Sequence, residues 1–303
     1  MTFSPGGNFE GGRVRRGSSK AKLGGGLGLG GLLIIGLAYL IGGQQVGSMV
    51  GGFVESGGLT QITGGGNSDE GFVDTCTAEQ ANTDRNCRLS ATIQALDAYW
   101  ATELPKEEGV KYTLPGVYSF DGAISTGCGQ ASAASGPFYC PSDGTIYIDV
   151  SFYDDLRTEF GTAGGPLAEE YVVAHEMGHH IQDELGLLEN SSDTGADSES
   201  VKVELMADCL AGMWAGNAAT TVDPDTGTTF LEPITQTQLQ QAIDVAAAIG
   251  DDHIQQTQAG YVDPESFTHG TSEQRVYWFT TGYENGTIAK CNTFNAPSLD
   301  PPK

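Results

Sequence analysis

In the stretch VVAHEMGHHI (172–181), His175 and His179 stand four residues apart, and Glu176 directly follows the first. On a helix this spacing puts both imidazoles on one face, one turn apart, so both can reach a single ion at about 2.0–2.1 Å. Glu176 lies about 100° further round. It sits beside such an ion rather than on it, where it can hold a water molecule and take its proton. An amphipathic helix that merely carries histidine would spell the same letters, so the reading needs a third ligand. A third histidine in the extended pattern would require Gly at 182 and His at 185, but the chain has Gln182 and Leu185. The other solution is a glutamate on a following helix, and VELMADCLAG (203–212) supplies one. Glu204 and Asp208 share a face within a run of Val203, Leu205, Met206 and Leu210. Carboxylates embedded in such a run need partners. Glu204 completes a two-His, one-Glu set for one Zn2+ ion, and Asp208 is placed to accept the second N–H of a ligating imidazole.

Two further histidines are weighed against this set. His180 is rotated one step from His179 and is expected in an outer or surface role. His269 precedes a helix start in FTHGTSEQR, with Gly270 permitting a sharp turn; it is a catalytic candidate as a donor to the oxyanion of a tetrahedral intermediate. His253 reads as structural or surface. A serine hydrolase finds no support, because no G-x-S-x-G is present.

These residues must be carried by elements, and the chain predicts them. Helices are expected over about 86–103 (closed by Pro105), 152–160, 167–186, 198–217, 235–249 and from 271 to about Gly282. Val173, Ala174, Met177 and Ile181 form the apolar stripe of the metal helix, and Gly178 lets another backbone come close. Residues 145–152 alternate Ile146, Ile148 and Val150 with Tyr147, Asp149 and Ser151, a strand signal. That strand is expected to offer an edge to an extended peptide, and 129–137 to rim a cleft. A strand and turn are expected over 115–126. The pattern is helix-rich with a small sheet, hence α+β.

The front of the chain has a different composition. Residues 1–22 carry Arg13, Arg15, Arg16, Lys20 and Lys22 against Glu10, whereas the whole chain has 39 acidic and 14 basic residues and a net charge of −25. An acidic body repels nucleic acid, which needs clustered Lys and Arg. Residues 23–54 carry no charge and include LGLGGLLIIGLAYLIGG, long enough to span a bilayer as a helix. The expected organisation is a basic cytoplasmic tail (1–22), a single transmembrane segment (23–54), a Gly-rich linker (55–71) and a folded domain (72–303) outside the cytoplasmic membrane. A cleaved signal peptide, for which no clear A-x-A-like site follows, and a glycine-rich tail that does not insert are the alternatives. Six cysteines, all after residue 71, suit an oxidising compartment. Nearest-neighbour closure pairs Cys76 with Cys87, Cys128 with Cys140 and Cys209 with Cys291.

The blocks GCGQASAASGPFYCPSDGTIYIDVSF, VVAHEMGHHIQ, VELMADCLAGMWA and HGTSEQRVYWF, behind an Arg- and Gly-rich front, resemble the bacterial putative neutral zinc metallopeptidase family. The resemblance covers nearly the whole chain in matching order. It implies a zincin-type domain behind a membrane segment, with His175, His179 and Glu204 as zinc ligands and Glu176 catalytic. The function it implies is peptide-bond hydrolysis at the bacterial envelope. A non-catalytic, zinc-stabilised binding or assembly module is the competing reading. Both require the same convergence of side chains, and they differ in whether Glu176 does chemistry.

Overall fold

The structure, a computed structural model, describes residues 2–18, 71–132, 135–188 and 193–302. The expected membrane segment (23–54) and the linker up to residue 70 lie outside the described residues. Among the described residues, no helix is long and apolar enough to cross a membrane. The fold is α+β and helix-rich, with small sheets.

Strands β1 (Asn8–Phe9), β2 (Arg15–Ser18), β3 (Gly71–Phe72) and β4 (Cys76–Thr77) precede two helices, α1 (Ala78–Ala81) and α2 (Arg85–Glu108). Strands β5 (Gly116–Asp121), β6 (Ala123–Thr126), β7 (Gly129–Ser132), β8 (Phe138–Cys140) and β9 (Thr145–Asp149) follow. The rest is helical: α3 (Phe152–Thr158), α4 (Pro166–Glu184), α5 (Glu199–Asn217), α6 (Gln236–Ala248), α7 (Asp251–Ala259), α8 (Ser272–Asn285) and α9 (Ile288–Cys291). The main sheet has the order β3-β2-β5-β9-β8, parallel at β2/β5 and β5/β9 and antiparallel at its two ends. β1 pairs with β4 and β6 with β7 in two smaller sheets.

α5 is buried along nearly its whole length, from Ser200 to Ala215. A helix that is apolar on all sides has no solvent face, so it must sit in the middle of the domain. It packs against α4 on one side and most extensively against α8 on another. Glycine permits both contacts. A Cβ on Gly178 would come within 3.0 Å of the Ala207 backbone, and one on Gly282 within 1.9 Å of the Cys209 carbonyl oxygen. Gly282 therefore serves close packing rather than termination, and α8 continues past it to Asn285. α2 likewise runs through Pro105 to Glu108; its buried Leu104 holds the last turn against the core, and Gly109 (φ +69°) caps it by donating to the Pro105 carbonyl at 3.0 Å.

The expected edge at residues 145–152 is corrected. β9 lies inside the sheet between β5 and β8, and β8 is the edge. Both faces of β9 are covered: Ile146 and Ile148 face the main core, while Tyr147 joins Phe120, Phe138, Cys140 and Ala131 in a second cluster. α7 has only Ile254 as a large aliphatic residue and so shows no apolar period to read. The three disulfides are Cys76–Cys87, Cys128–Cys140 and Cys209–Cys291, with no free cysteine among the described residues. They point to an oxidising compartment outside the cytoplasm.

The basic N-terminal arm, expected as a separate tail, packs against the body. Residues 2–18 are part of the domain: Phe3, Phe9 and Val14 are buried in the core, Arg13 pairs with Asp97 at 2.6 Å, and β2 sits between β3 and β5. A strand in the middle of a sheet shares its compartment. An impermeant maleimide applied to intact cells is therefore expected to label Glu10→Cys and Lys111→Cys on the same side of the membrane; labelling from opposite sides contradicts the pairing. For the helix packing, Gly282→Ala is expected to lower stability by about 1–3 kcal/mol or more through overpacking, seen as a lower urea midpoint.

Candidate metal centre

α4 begins at Pro166, whose missing N–H is harmless in a first turn, and presents His175 and His179 from its buried side. α5 starts at Ser198, whose side chain accepts from the Val201 N–H at 3.2 Å, and carries Glu204 across from them. The ligand atoms of His175, His179 and Glu204 all lie within 4.8 Å of one another. His175 Nε2 is 3.1 Å from Glu204 Oε2, and His179 Nε2 is 3.4 Å from Glu204 Oε1.

The remaining ring nitrogens are already committed. His175 Nδ1 lies 2.9 Å from Asp208 Oδ1, and His179 Nδ1 lies 2.8 Å from Gln182 Oε1. Gln182 is held in turn by donating to the Val203 carbonyl at 2.7 Å. With each Nδ1 carrying the proton, the two Nε2 atoms and the carboxylate face one another with lone pairs only. Glu204 Oε1 is buried without a hydrogen-bond partner. A cluster of acceptors with an orphaned carboxylate oxygen suits a cation, and two neutral imidazoles with one carboxylate are a zinc set.

Asp208 is the hub behind the ligands. It is fully buried and takes Arg275 Nε on Oδ2 at 2.9 Å, Arg275 Nη2 on Oδ1 at 3.0 Å, and the Tyr171 hydroxyl at 2.5 Å. Burial alone would raise its pKa, but Arg275 and His175 outweigh burial and hold it below the usual carboxylate range. Burial likewise opposes charge on His175, yet Asp208 and Glu204 push its pKa up to about 10. For Glu204, burial is outweighed by His179, His269 and His175, and its pKa lies well below the ordinary value. The shifts are reciprocal: the carboxylates raise His175, and the basic groups around them hold Asp208 and Glu204 down.

Glu176 is buried beside the triad, and that burial raises its pKa despite His175 and His179. The Tyr139 backbone N–H from edge strand β8 donates to it. Tyr139 is fixed by its own hydroxyl, which donates to Asp183 at 2.7 Å. His180 is buried, with Nε2 2.7 Å from the Thr113 carbonyl oxygen, so it is a structural link rather than a surface group. His269 lines the same cavity as His175, Glu176 and Glu204. Asp251 holds it in place: the carboxylate accepts the N–H groups of Thr268, His269 and Gly270 at 2.7, 2.6 and 3.0 Å and meets His269 Nδ1 at 3.2 Å. Cys209 lies outside the ligand cluster and is bonded to Cys291.

The sequence reading missed Tyr171, Gln182, Asp251 and Arg275. Tyr171 stands one turn before His175, so helical spacing held its signal. Gln182, three residues after His179, held one too. Arg275 and Asp251 arrive from other helices, and no local pattern marks them.

Asp208→Asn is expected to weaken zinc binding by about 10–100-fold, measured by competition with a chromophoric chelator. An unchanged affinity would mean that Asp208 does not orient His175.

Comparison with known proteins agrees with this arrangement. The chain is 47% identical over 225 residues to the uncharacterized protein Rv2575 of Mycobacterium tuberculosis, covering 74% of this chain and 75% of that one. It is 41% identical over 221 residues to the uncharacterized protein YpfJ of Escherichia coli K12, covering 70% and 73%. No solved structure matches. The family profile described as "Putative neutral zinc metallopeptidase" matches residues 4–294, N-terminal arm and metal-ligand triad included. The chain belongs to the putative neutral zinc metallopeptidase family.

Proposed function

We propose that the protein is a zinc-dependent peptidase acting outside the cytoplasm, with Glu176 as its general base. The observation that carries this reading is a buried carboxylate of raised pKa lining the same cavity as two members of the triad, His175 and Glu204. Zinc held by His175, His179 and Glu204 would supply Lewis acidity, which acidifies water and polarises a carbonyl oxygen.

The chain's own groups do the rest. Glu176 takes a proton from the attacking water and returns it to the leaving amine. Its basicity is kept above that of an ordinary glutamate by burial, and the Tyr139 N–H fixes its orientation. His269 lines the cavity with Nδ1 engaged by Asp251; burial opposes its charge, but Glu204 and Asp251 raise its pKa, and the protonated ring has an Nε2–H to donate to the carbonyl oxygen as it gains charge. Asp208 and Gln182 keep the imidazoles in the tautomer that presents Nε2.

The test is a broad peptide panel with the zinc-loaded chain, with chelator, and with Glu176→Gln. The variant is expected to keep one zinc while kcat falls by about 10²–10⁴-fold. Protonated Glu176 cannot accept a proton, so kcat/KM of the wild type should fall as pH drops through a pKa above the ordinary 4.5. A wild type that binds zinc and cleaves nothing would favour an assembly module instead.

A further inference from the structure

Beside the ligand cluster, the cavity continues into an apolar chamber. Its walls come from four places in the fold: Phe152 and Phe160 at the two ends of the α3 region, Val172 on α4, Ile249 after α6, and Ile254 on α7. Val172 lies three and four residues before His175 and Glu176, so one helix face carries the chamber wall and then the reacting groups. The cavity as a whole, ligand cluster included, has a volume of about 100 Å³ and is open to solvent on one side.

Apart from the reacting groups themselves, three polar side chains of the lining are spent on other partners. Arg275 reaches the cavity, but its guanidinium is bound to Asp208 through two nitrogens and to the Ile249 carbonyl through the third, at 3.3 Å. The Tyr171 hydroxyl is turned to Asp208. Asp251 is saturated by three backbone N–H groups and His269. A charged side chain entering among the apolar residues would lose its water, and Arg275, Tyr171 and Asp251 have no free group to offer it.

We propose that this chamber is a substrate subsite that receives a bulky, uncharged apolar side chain, of leucine or phenylalanine type, on a residue flanking the scissile bond. The proposal rests on the peptidase reading for the word "scissile", but not for the pocket itself. Specificity would then come from α7 as much as from the metal helix, through Ile254 in the lining.

The experiment reads binding, so it does not depend on turnover. Three hydroxamates that differ only in the group next to the chelating head (hydrogen, isobutyl or carboxymethyl) are titrated calorimetrically into the zinc-loaded full chain. The isobutyl compound is expected to bind at least about tenfold tighter than the hydrogen analogue, the range a hydrophobic pocket discriminates, and the carboxymethyl compound weakest. Ile254→Trp, which fills the chamber, is expected to collapse the isobutyl-to-hydrogen ratio towards one. Phe160→Ala, which enlarges it, is expected to shift preference from isobutyl to benzyl, and serves should the first variant fold poorly. Equal affinities in the wild type, or an isobutyl preference unmoved by either substitution, would overturn the proposal. If the preference holds and tracks the substitutions while no peptide is cleaved, the subsite stands and the peptidase reading falls.

Discussion

The burial of one carboxylate, Asp208, constrains most of this domain. It sits at full burial on α5, the helix with no solvent face, and a charge there is tolerable only with excellent partners. Those partners come from two other helices: His175 and Tyr171 on α4, and Arg275 on α8. Satisfying Asp208 therefore fixes how three helices meet. The same contact points His175 Nε2 at Glu204, one turn earlier on α5. Fold and metal site are thus two results of one polar cluster. Taking away either Arg275 or Asp208 would strand the other as an uncompensated charge in the core.

The small residues at the helix crossings belong to this same constraint. Asp208 can reach both neighbours only if the helix axes are close. Gly178 gives that approach on the α4 side and Gly282 on the α8 side, where even a methyl group would meet backbone. Cys209, next to Asp208, ties α5 to α9 through Cys291. Covalent, steric and electrostatic restraints therefore fall within two adjacent residues of one helix.

How much of this was legible in the sequence depended on whether a signal was local. His175, His179 and Glu176 are spaced by helix geometry alone, and Glu204 and Asp208 stood out because acids are out of place in an apolar run. Cysteine pairing followed from proximity in the chain. What failed to show were the groups supplied across the fold. Arg275 and Asp251 are ordinary letters until α8 and α7 deliver them, and α7 lacks the apolar period that would have announced it. β9 alternates as an edge strand would, yet its polar-looking face is covered by Phe120 and Phe138, which only the sheet order brings there. The N-terminal arm is the opposite case. Its arginines before a charge-free run read as a membrane flank, while Phe3, Phe9 and Val14 were spaced too irregularly to announce a core role.

The position of β2 in the main sheet also bears on how the chain reaches this state. Its parallel partner pairs Arg15 with Tyr118 and Ser18 with Asp121, about a hundred residues downstream. Pairings this distant close late, because loop entropy must be overcome before any contact rewards it. β2 has to wait, its apolar neighbours Phe9 and Val14 uncovered, until β5 has followed. The helices around Asp208 lie later still. A chain built in this order is held open well into synthesis and completes its sheet and its helical centre late.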